Sequence, residues 1–114
     1  MWRQKKINNM IYSVEDRPVH EYETLLITLS GFSQPMSERG YLFTMLRKHL
    51  SGRVSVIQFD YRGHGDSSGD LKNVSMTTMV EDTMMVMRDI VKGKFPNKIF
   101  FVGHGLGGNI GQLV

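Results

Sequence analysis

At 114 residues, the chain is long enough for one small domain with a hydrophobic core and too short for two. Its composition, 40% hydrophobic and 22% charged, is typical of a globular protein, and its net charge of +3 is too small and dispersed to indicate nucleic-acid binding. The lack of cysteine excludes disulfides and cysteine-based zinc sites, and we expect a cytoplasmic location. No apolar run approaches the roughly 20 residues of a membrane span, and no signal peptide is recognisable.

Three near-continuous apolar runs predict buried strands. They cover Thr24–Ser30, Val54–Asp60 and Ile99–Val102. Apolar side chains at consecutive rather than alternating positions indicate strands that are covered on both faces. A shorter strand over Met10–Val14 precedes them and ends in a turn. We therefore expect a sheet whose central strands are enclosed by helices.

Helical patterns separate these strands. The first begins near Ser37 and is stopped by Gly52, and the second covers residues 76–92, with Glu81 and Asp82 on its polar side. The second also carries an apolar row at helical spacing, which we interpret as core packing because methionine fills irregular gaps. That row consists of Met79, Val80, Met84, Met87 and Val91. Alternating strands and helices predict a three-layer α/β/α domain with a mostly parallel sheet.

A glycine-rich loop follows the last predicted strand, and a helix begins near Asn109. Gly103, Gly105 and Gly108 match the G-x-G-x-x-G fingerprint, in which glycines let the backbone approach the pyrophosphate of a dinucleotide. That fingerprint normally follows the first strand of its domain, whereas two strand–helix units precede it here. Dinucleotide binding is therefore kept as an alternative function.

The same loop fits a nucleophile elbow, G-x-S-x-G, with glycine in place of serine. Gly105 holds the nucleophile position, and Gly103 and Gly107 are the small neighbours that the sharp turn requires. Glycine tolerates the strained backbone of the apex but supplies no hydroxyl. His104 and Gly108 complete the elbow, and we expect His104 to be packed, hydrogen-bonded and directed away from the apex.

Three loops in order resemble those of the α/β-hydrolase family over residues 24–114. Residues 59–69 (FDYRGHGDSSG) resemble the D-x-R-G-x-G-x-S-x-G loop after the family's fourth strand, and residues 101–108 (FVGHGLGG) resemble its G-H-S-L-G-G elbow. Residues 30–32 (SGF) stand where the family usually has His-Gly-x. The loops look most similar to those of the serine-aminopeptidase and monoacylglycerol-lipase-like branch of the family. They also resemble the loops of type II thioesterases. The resemblance implies that residues 1–114 are the N-terminal portion of one such domain, ending just after the elbow.

The resemblance implies hydrolysis of an ester, thioester or amide of a small acyl substrate, by a serine, a histidine and an acid, with no cofactor or metal. It implies that the backbone N–H groups of Phe32 and Leu106 form the oxyanion hole. It also implies that the substrate pocket is shaped by a loop that contains Asp60, Arg62, Gly63, His64 and Gly65. Because Gly105 has no hydroxyl and residues 106–114 contain neither aspartate nor histidine, we expect this chain to be catalytically inactive.

Polar residues of the loop after the predicted strand at Val54–Asp60 have structural interpretations. Asp60 and Arg62 are expected to hold the turn through charge-assisted hydrogen bonds. Ser67 and Ser68 are expected to stabilise the loop rather than to act as nucleophiles. No spacing of histidines and acids in this sequence indicates a metal site.

A non-catalytic interaction module is the remaining alternative. In the family's strand order, the strand at Ile99–Val102 lies next to a strand that this chain lacks. Its outer edge is then expected to present unpaired N–H and C=O groups, which invite pairing with another chain. This interpretation predicts self-association through the sheet edge.

Overall fold

The computed structural model describes residues 2–16, 24–51, 53–92 and 98–114. Its strands are β1 (Trp2–Ile7), β2 (Ile11–Asp16), β3 (Thr24–Leu29), β4 (Ser55–Phe59) and β5 (Lys98–Gly103). Its α-helices are α1 (Leu42–Leu50), α2 (Met76–Lys92) and α3 (Leu106–Leu113). The predicted order of strands and helices from β3 onward is confirmed. The expectation that the strand at Ile99–Val102 is covered on both faces is wrong, because Phe100 is 54% exposed. Gly52, the predicted stop of α1, lies outside the described residues.

The strands form one mixed sheet in the order β1-β2-β4-β3-β5. Strand β3 pairs in parallel with β4 and with β5, whereas β2 pairs antiparallel with β1 and with β4. A parallel unit of three strands is thus extended by an N-terminal hairpin. The carboxyl ends of β3, β4 and β5 lie at one edge of the sheet, where ligands bind in open α/β folds.

The N-terminal hairpin corrects the prediction, which placed a single strand over residues 10–14. Strand β1 pairs along its whole length with β2, through a turn in which Asn8 and Asn9 have positive φ angles of 49° and 59°. Asparagine is favoured at such positions in hairpin turns. The sequence pattern does not predict β1 because it is an edge strand with exposed polar residues. Among residues 3–7, only Ile7 is buried.

The sheet separates two helical layers, which confirms the predicted three-layer α/β architecture. In β4, Ile57 and Phe59 belong to the core cluster that α2 and α3 cover. Gln58 points to the opposite face, since successive side chains of a strand alternate, and it accepts a hydrogen bond of 2.7 Å from Nε of Arg47 in α1. Its amide also donates to Oγ1 of Thr44 at 3.4 Å. Strand β4 is therefore covered on both faces.

Helix α2 covers the predicted residues, but its buried face is rotated from the predicted one. Met79, Val86 and Asp82 are each 0% exposed, whereas Met84 is 37% exposed. The core-packing interpretation therefore holds for Met79, Val80 and Met87 and is wrong for Met84, while the Val91 side chain lies outside the described part of the chain. The assignment of Asp82 to the polar side is also wrong, because this carboxylate is buried against Arg62.

Helix α1 begins at Leu42, later than the predicted start near Ser37. Three residues before it have positive φ angles, which no α-helix accommodates. They are Glu38 at 63°, Gly40 at 66° and Tyr41 at 59°. The segment that the helical pattern assigned to the first turn instead forms an irregular loop beside the sheet edge.

Candidate active site

Strand β5 passes into α3 through a sharp bend with Gly105 at its apex. Gly105 has φ 61° and ψ −128°, a backbone conformation that residues with side chains rarely adopt. The helix begins at the next residue, Leu106, three residues earlier than predicted. Chain neighbours aside, a Cβ on Gly105 would meet no heavy atom of the described residues within 4 Å. The apex is therefore strained in its backbone and open above it.

Two glycines flanking the apex are required by close packing. A Cβ on Gly107 would overlap the backbone carbonyl of Leu29, and a Cβ on Gly103 would lie 2.5 Å from the backbone nitrogen of Gly108. A Cβ on Gly108 itself would make only ordinary contact at 4.0 Å. Gly103 is tight in both interpretations, but the dinucleotide fingerprint requires a small residue at Gly108 and leaves Gly107 unrestricted. Because Gly107 is crowded and Gly108 is not, the packing favours the elbow interpretation.

An open cavity of about 260 Å³ lies in front of the bend. Its lining consists of Gly31, Phe32, Gln34, Glu38, Arg39, His104, Gly105 and Leu106. The bend is fastened to β3 by a hydrogen bond of 3.1 Å from the N–H of His104 to the carbonyl of Leu29. The cavity thus brings together the three positions that the sequence singled out, namely Gly105, Phe32 and Leu106.

Two backbone donors border this cavity. Leu106 is the first residue of α3, so its N–H has no acceptor within the helix, and the helix dipole adds partial positive charge there. Phe32 follows Gly31, whose own N–H is held by Oε1 of Glu38 at 2.7 Å. Phe32 and Leu106 thus both lie at the cavity.

Glu38 is a buried carboxylate in the cavity wall, and sequence reasoning missed it. Its Oε1 and Oε2 accept hydrogen bonds from the N–H groups of Gly31 at 2.7 Å and of Arg39 at 2.8 Å. Nδ1 of His104 lies 3.5 Å from Oε1. The His104 side chain is 55% exposed, so the expectation of a packed histidine is wrong about its burial. No pattern marks Glu38, because its partners come from the loop geometry.

Asp60 joins the loops that follow β3 and β4. Its carboxylate accepts hydrogen bonds from the N–H groups of Met36 at 2.7 Å and of Asp66 at 3.0 Å. Burial raises the pKa of Asp60 above its ordinary value, and these two hydrogen bonds oppose the rise. Gly65, at φ +46°, lies against the carboxylate, and a Cβ there would overlap it. Asp60 therefore holds the turn, as expected.

His64 supports the loop that carries Phe32. Its Nε2 accepts the N–H of Ser33 at 2.8 Å, and its Nδ1 lies 3.2 Å from the carbonyl oxygen of Arg62. This pattern fits the neutral ring with its proton on Nδ1. The ring also meets Phe32 edge-to-face at a centroid distance of 5.9 Å. His64 is 5% exposed and lies behind the cavity wall rather than on it.

Arg62 points away from the cavity towards α2, which corrects its expected role in the turn. Its Nε donates to Oδ1 of Asp82 at 2.5 Å, its N–H donates to Oδ2 at 2.8 Å, and its Nη2 donates to Glu81 at 2.9 Å. Burial raises the pKa of Asp82, and the hydrogen bonds from Arg62 lower it. Arg62 and Gly63 instead line a separate cavity of about 190 Å³. None of the five predicted pocket-loop residues lines the cavity at Gly105.

Ser67 is a structural residue of the loop after β4. Its Oγ accepts the N–H of Tyr12 at 2.9 Å and donates to the carbonyl of Asp60 at 2.5 Å. Both partners of this buried hydroxyl are backbone groups, and the N–H of Ser68 is also bound to the backbone, at Met10. The two serines stabilise the loop, as the sequence indicated.

The described part of the chain holds neither a metal-ligating cluster nor a membrane-spanning helix. Residues 2–16, 24–51, 53–92 and 98–114 contain no group of three or more potential metal-ligating side chains. Within the same ranges, no helix combines the length and the apolarity that crossing a membrane requires.

The architecture and the bend define the α/β-hydrolase fold, and solved structures with this fold superimpose on nearly the whole chain. Est1E from Butyrivibrio proteoclasticus, solved with ferulic acid bound, matches with a TM-score of 0.75 at 21% identity, over 95% of this chain and 44% of that protein. A serine hydrolase homologue from Coxiella burnetii matches with a TM-score of 0.73 at 20% identity, over 97% of this chain and 54% of that protein. Identities at this level establish the fold alone.

Sequence comparison gives the family. The hydrolase family described as serine aminopeptidase S33 matches residues 23–114, and this chain belongs to it. Protein phosphatase methylesterase 1 from Candida albicans is 35% identical over 69 residues, which are 60% of this chain and 19% of that protein. The chain thus spans about a fifth of this relative and about half or less of the two solved structures.

Proposed function

We propose that this chain binds the carbonyl group of a small carboxylic ester, thioester or amide, and forms no covalent acyl intermediate at position 105. Gly105 is the observation that carries the proposal. The bend has the backbone angles and the open space that suit a nucleophile, but glycine supplies no hydroxyl to attack the carbonyl. The backbone donors of Phe32 and Leu106 remain, because they do not depend on side-chain identity.

Binding is tested with acetanilide, a small amide that presents a carbonyl but resists hydrolysis. Titration followed by ¹H–¹⁵N NMR should shift the amide signals of Phe32 and Leu106 in a saturable manner. Two matched variants distinguish the contribution of the Phe32 backbone N–H from that of the Phe32 ring. Phe32→Ala removes the ring and keeps the backbone N–H, whereas Phe32→Pro also removes the N–H. We expect Phe32→Ala to bind and a folded Phe32→Pro to lose binding. Saturable binding that leaves both amide signals unmoved would refute the proposed site.

The absence of an acyl intermediate is tested with p-nitrophenyl acetate. The chain should release no stoichiometric burst of p-nitrophenol, and a fluorophosphonate probe should leave the bend unlabelled. A burst from the unmodified chain, or labelling of the bend by the probe, would contradict this part of the proposal.

A second candidate function is self-association through the edge strand β5. Within the described residues, β5 pairs with β3 on one side only, and Phe100 on this strand is 54% exposed. An open edge favours pairing with a second copy of the chain. Light scattering should show a mass that rises with concentration, and Phe100→Lys should reduce the rise because edge lysines oppose pairing. A concentration-independent monomer would contradict this candidate.

A further inference from the structure

We propose that His104 and Glu38 form a dyad that activates a water molecule towards the carbonyl bound at Phe32 and Leu106. The inference rests on the proposed function, since it needs a substrate carbonyl at those two donors. It adds a hydrolytic route that bypasses position 105. Its starting point is that His104 and Glu38 line the same cavity as both donors.

The pairing of the two side chains has the order that a general base requires. Nδ1 of His104 lies 3.5 Å from Oε1 of Glu38, whose side chain is 1% exposed. A carboxylate beside Nδ1 favours the tautomer with its proton on that nitrogen, which leaves Nε2 as an acceptor. The His104 side chain is 55% exposed and His104 lines the cavity, and the dyad requires Nε2 to face water there.

Glu38 is fixed in the position that this role requires. Its two carboxylate oxygens are held by the N–H groups of Gly31 and Arg39, so the carboxylate cannot rotate away from His104 without breaking hydrogen bonds. The same contact with Gly31 holds the loop that presents Phe32. One buried side chain thus connects the base to one of the carbonyl-binding donors, and Glu38 acts as a positioning residue.

The open space above Gly105 gives the water a place in the cavity that His104 also lines. Apart from its chain neighbours, no described heavy atom lies within 4 Å of the Cβ position of Gly105. A serine side chain would occupy part of this space, and glycine leaves it free. The loss of the hydroxyl and the presence of the dyad are therefore compatible features of one site.

The reaction balances with water as the only co-reactant. Nε2 of His104 takes a proton from water while the water oxygen bonds to the carbonyl carbon, and the carbonyl electron pair moves to the oxygen held by the two N–H groups. The bond from carbon to the leaving alcohol oxygen then breaks, and that oxygen takes the proton from His104. One ester and one water give one carboxylic acid and one alcohol.

The test measures kcat/KM of the 114-residue chain for phenyl acetate. His104→Gln should lower it about 100-fold and Glu38→Gln about 10-fold, whereas the conservative variant Glu38→Asp should retain part of the rate. His49→Gln is the matched control, because His49 is an exposed histidine at the end of α1 and should leave the rate unchanged. Added imidazole should restore activity to His104→Ala but not to Glu38→Gln.

The outcomes separate the dyad from the carbonyl site on which it rests. If His104→Gln retains the full rate while acetanilide still shifts the signals of Phe32 and Leu106, the dyad is refuted and the proposed function stands. If acetanilide no longer binds the unmodified chain there, the proposed function itself fails. Should Glu38→Gln fail to fold, the comparison of His104→Gln with His49→Gln still decides the matter.

Discussion

The buried ion pair between the loop after β4 and helix α2 gives the sharpest prediction about stability. Asp82 is 0% exposed and receives hydrogen bonds from both the guanidinium and the backbone N–H of Arg62. The variant Arg62→Met keeps the apolar stem and the backbone donor but removes the cation. Removing one partner of a buried pair typically costs 3–5 kcal/mol, because the other charge is left uncompensated.

We expect Arg62→Met to lower the free energy of unfolding by about 3 kcal/mol, at the lower end of that range, because the Arg62 side chain is 30% exposed. Urea denaturation followed by circular dichroism measures the change. Arg53→Met is the matched control, since Arg53 is an exposed arginine, and should change stability by less than about 0.5 kcal/mol. The double variant Arg62→Met with Asp82→Leu should regain most of the loss, because no unpaired charge remains.

The pH dependence of the same variant provides an independent check. Burial raises the pKa of Asp82 in the folded protein, and the loss of Arg62 raises it further. A folded state that binds the proton more tightly than the unfolded state is stabilised as the pH falls through the raised pKa. The deficit of Arg62→Met should therefore shrink on acidification. A loss below about 1 kcal/mol at neutral pH, or a deficit that grows in acid, would refute this reasoning.

Three further predictions concern the bend between β5 and α3. Gly107→Ala should destabilise the chain by about 3 kcal/mol in urea denaturation, because its Cβ would overlap the carbonyl of Leu29. Gly108→Ala should be neutral or stabilising, and equal effects of the two variants would contradict the packing of the bend. Gly105→Ala should cost about 1–2 kcal/mol, from its positive φ rather than from crowding, and a larger loss would indicate crowding. Titration with NADH should give no saturable fluorescence change, and saturation would restore the dinucleotide interpretation.

The parallel part of the fold was predictable because its signals are local. Continuous apolar runs identify β3, β4 and β5, although β5 lies at the sheet edge with Phe100 exposed, and helical spacing identifies all of α2. The bend was predictable for a different reason, since Gly103 and Gly107 are positions that exclude any side chain. Patterns of this kind are visible in a sequence because burial or close packing restricts each residue by itself.

What the sequence did not reveal depends on partners distant along the chain. Strand β1 is an exposed edge, so its residues follow no burial pattern. Asp82 is an acid on a helix, and only the approach of Arg62 makes it a core residue. Glu38 looked like the start of a helix, although its positive φ and its contacts with Gly31 and His104 place it beside the cavity.

The loop after β3 is held by side chains from outside the bend. Asp60 binds the N–H of Met36, His64 binds the N–H of Ser33, and Glu38 binds the N–H of Gly31. None of these attachments involves residue 105, so the shape of the loop is independent of the side chain placed at the apex. An engineer could install cysteine, aspartate or serine there and compare their reactivities within one unchanged framework.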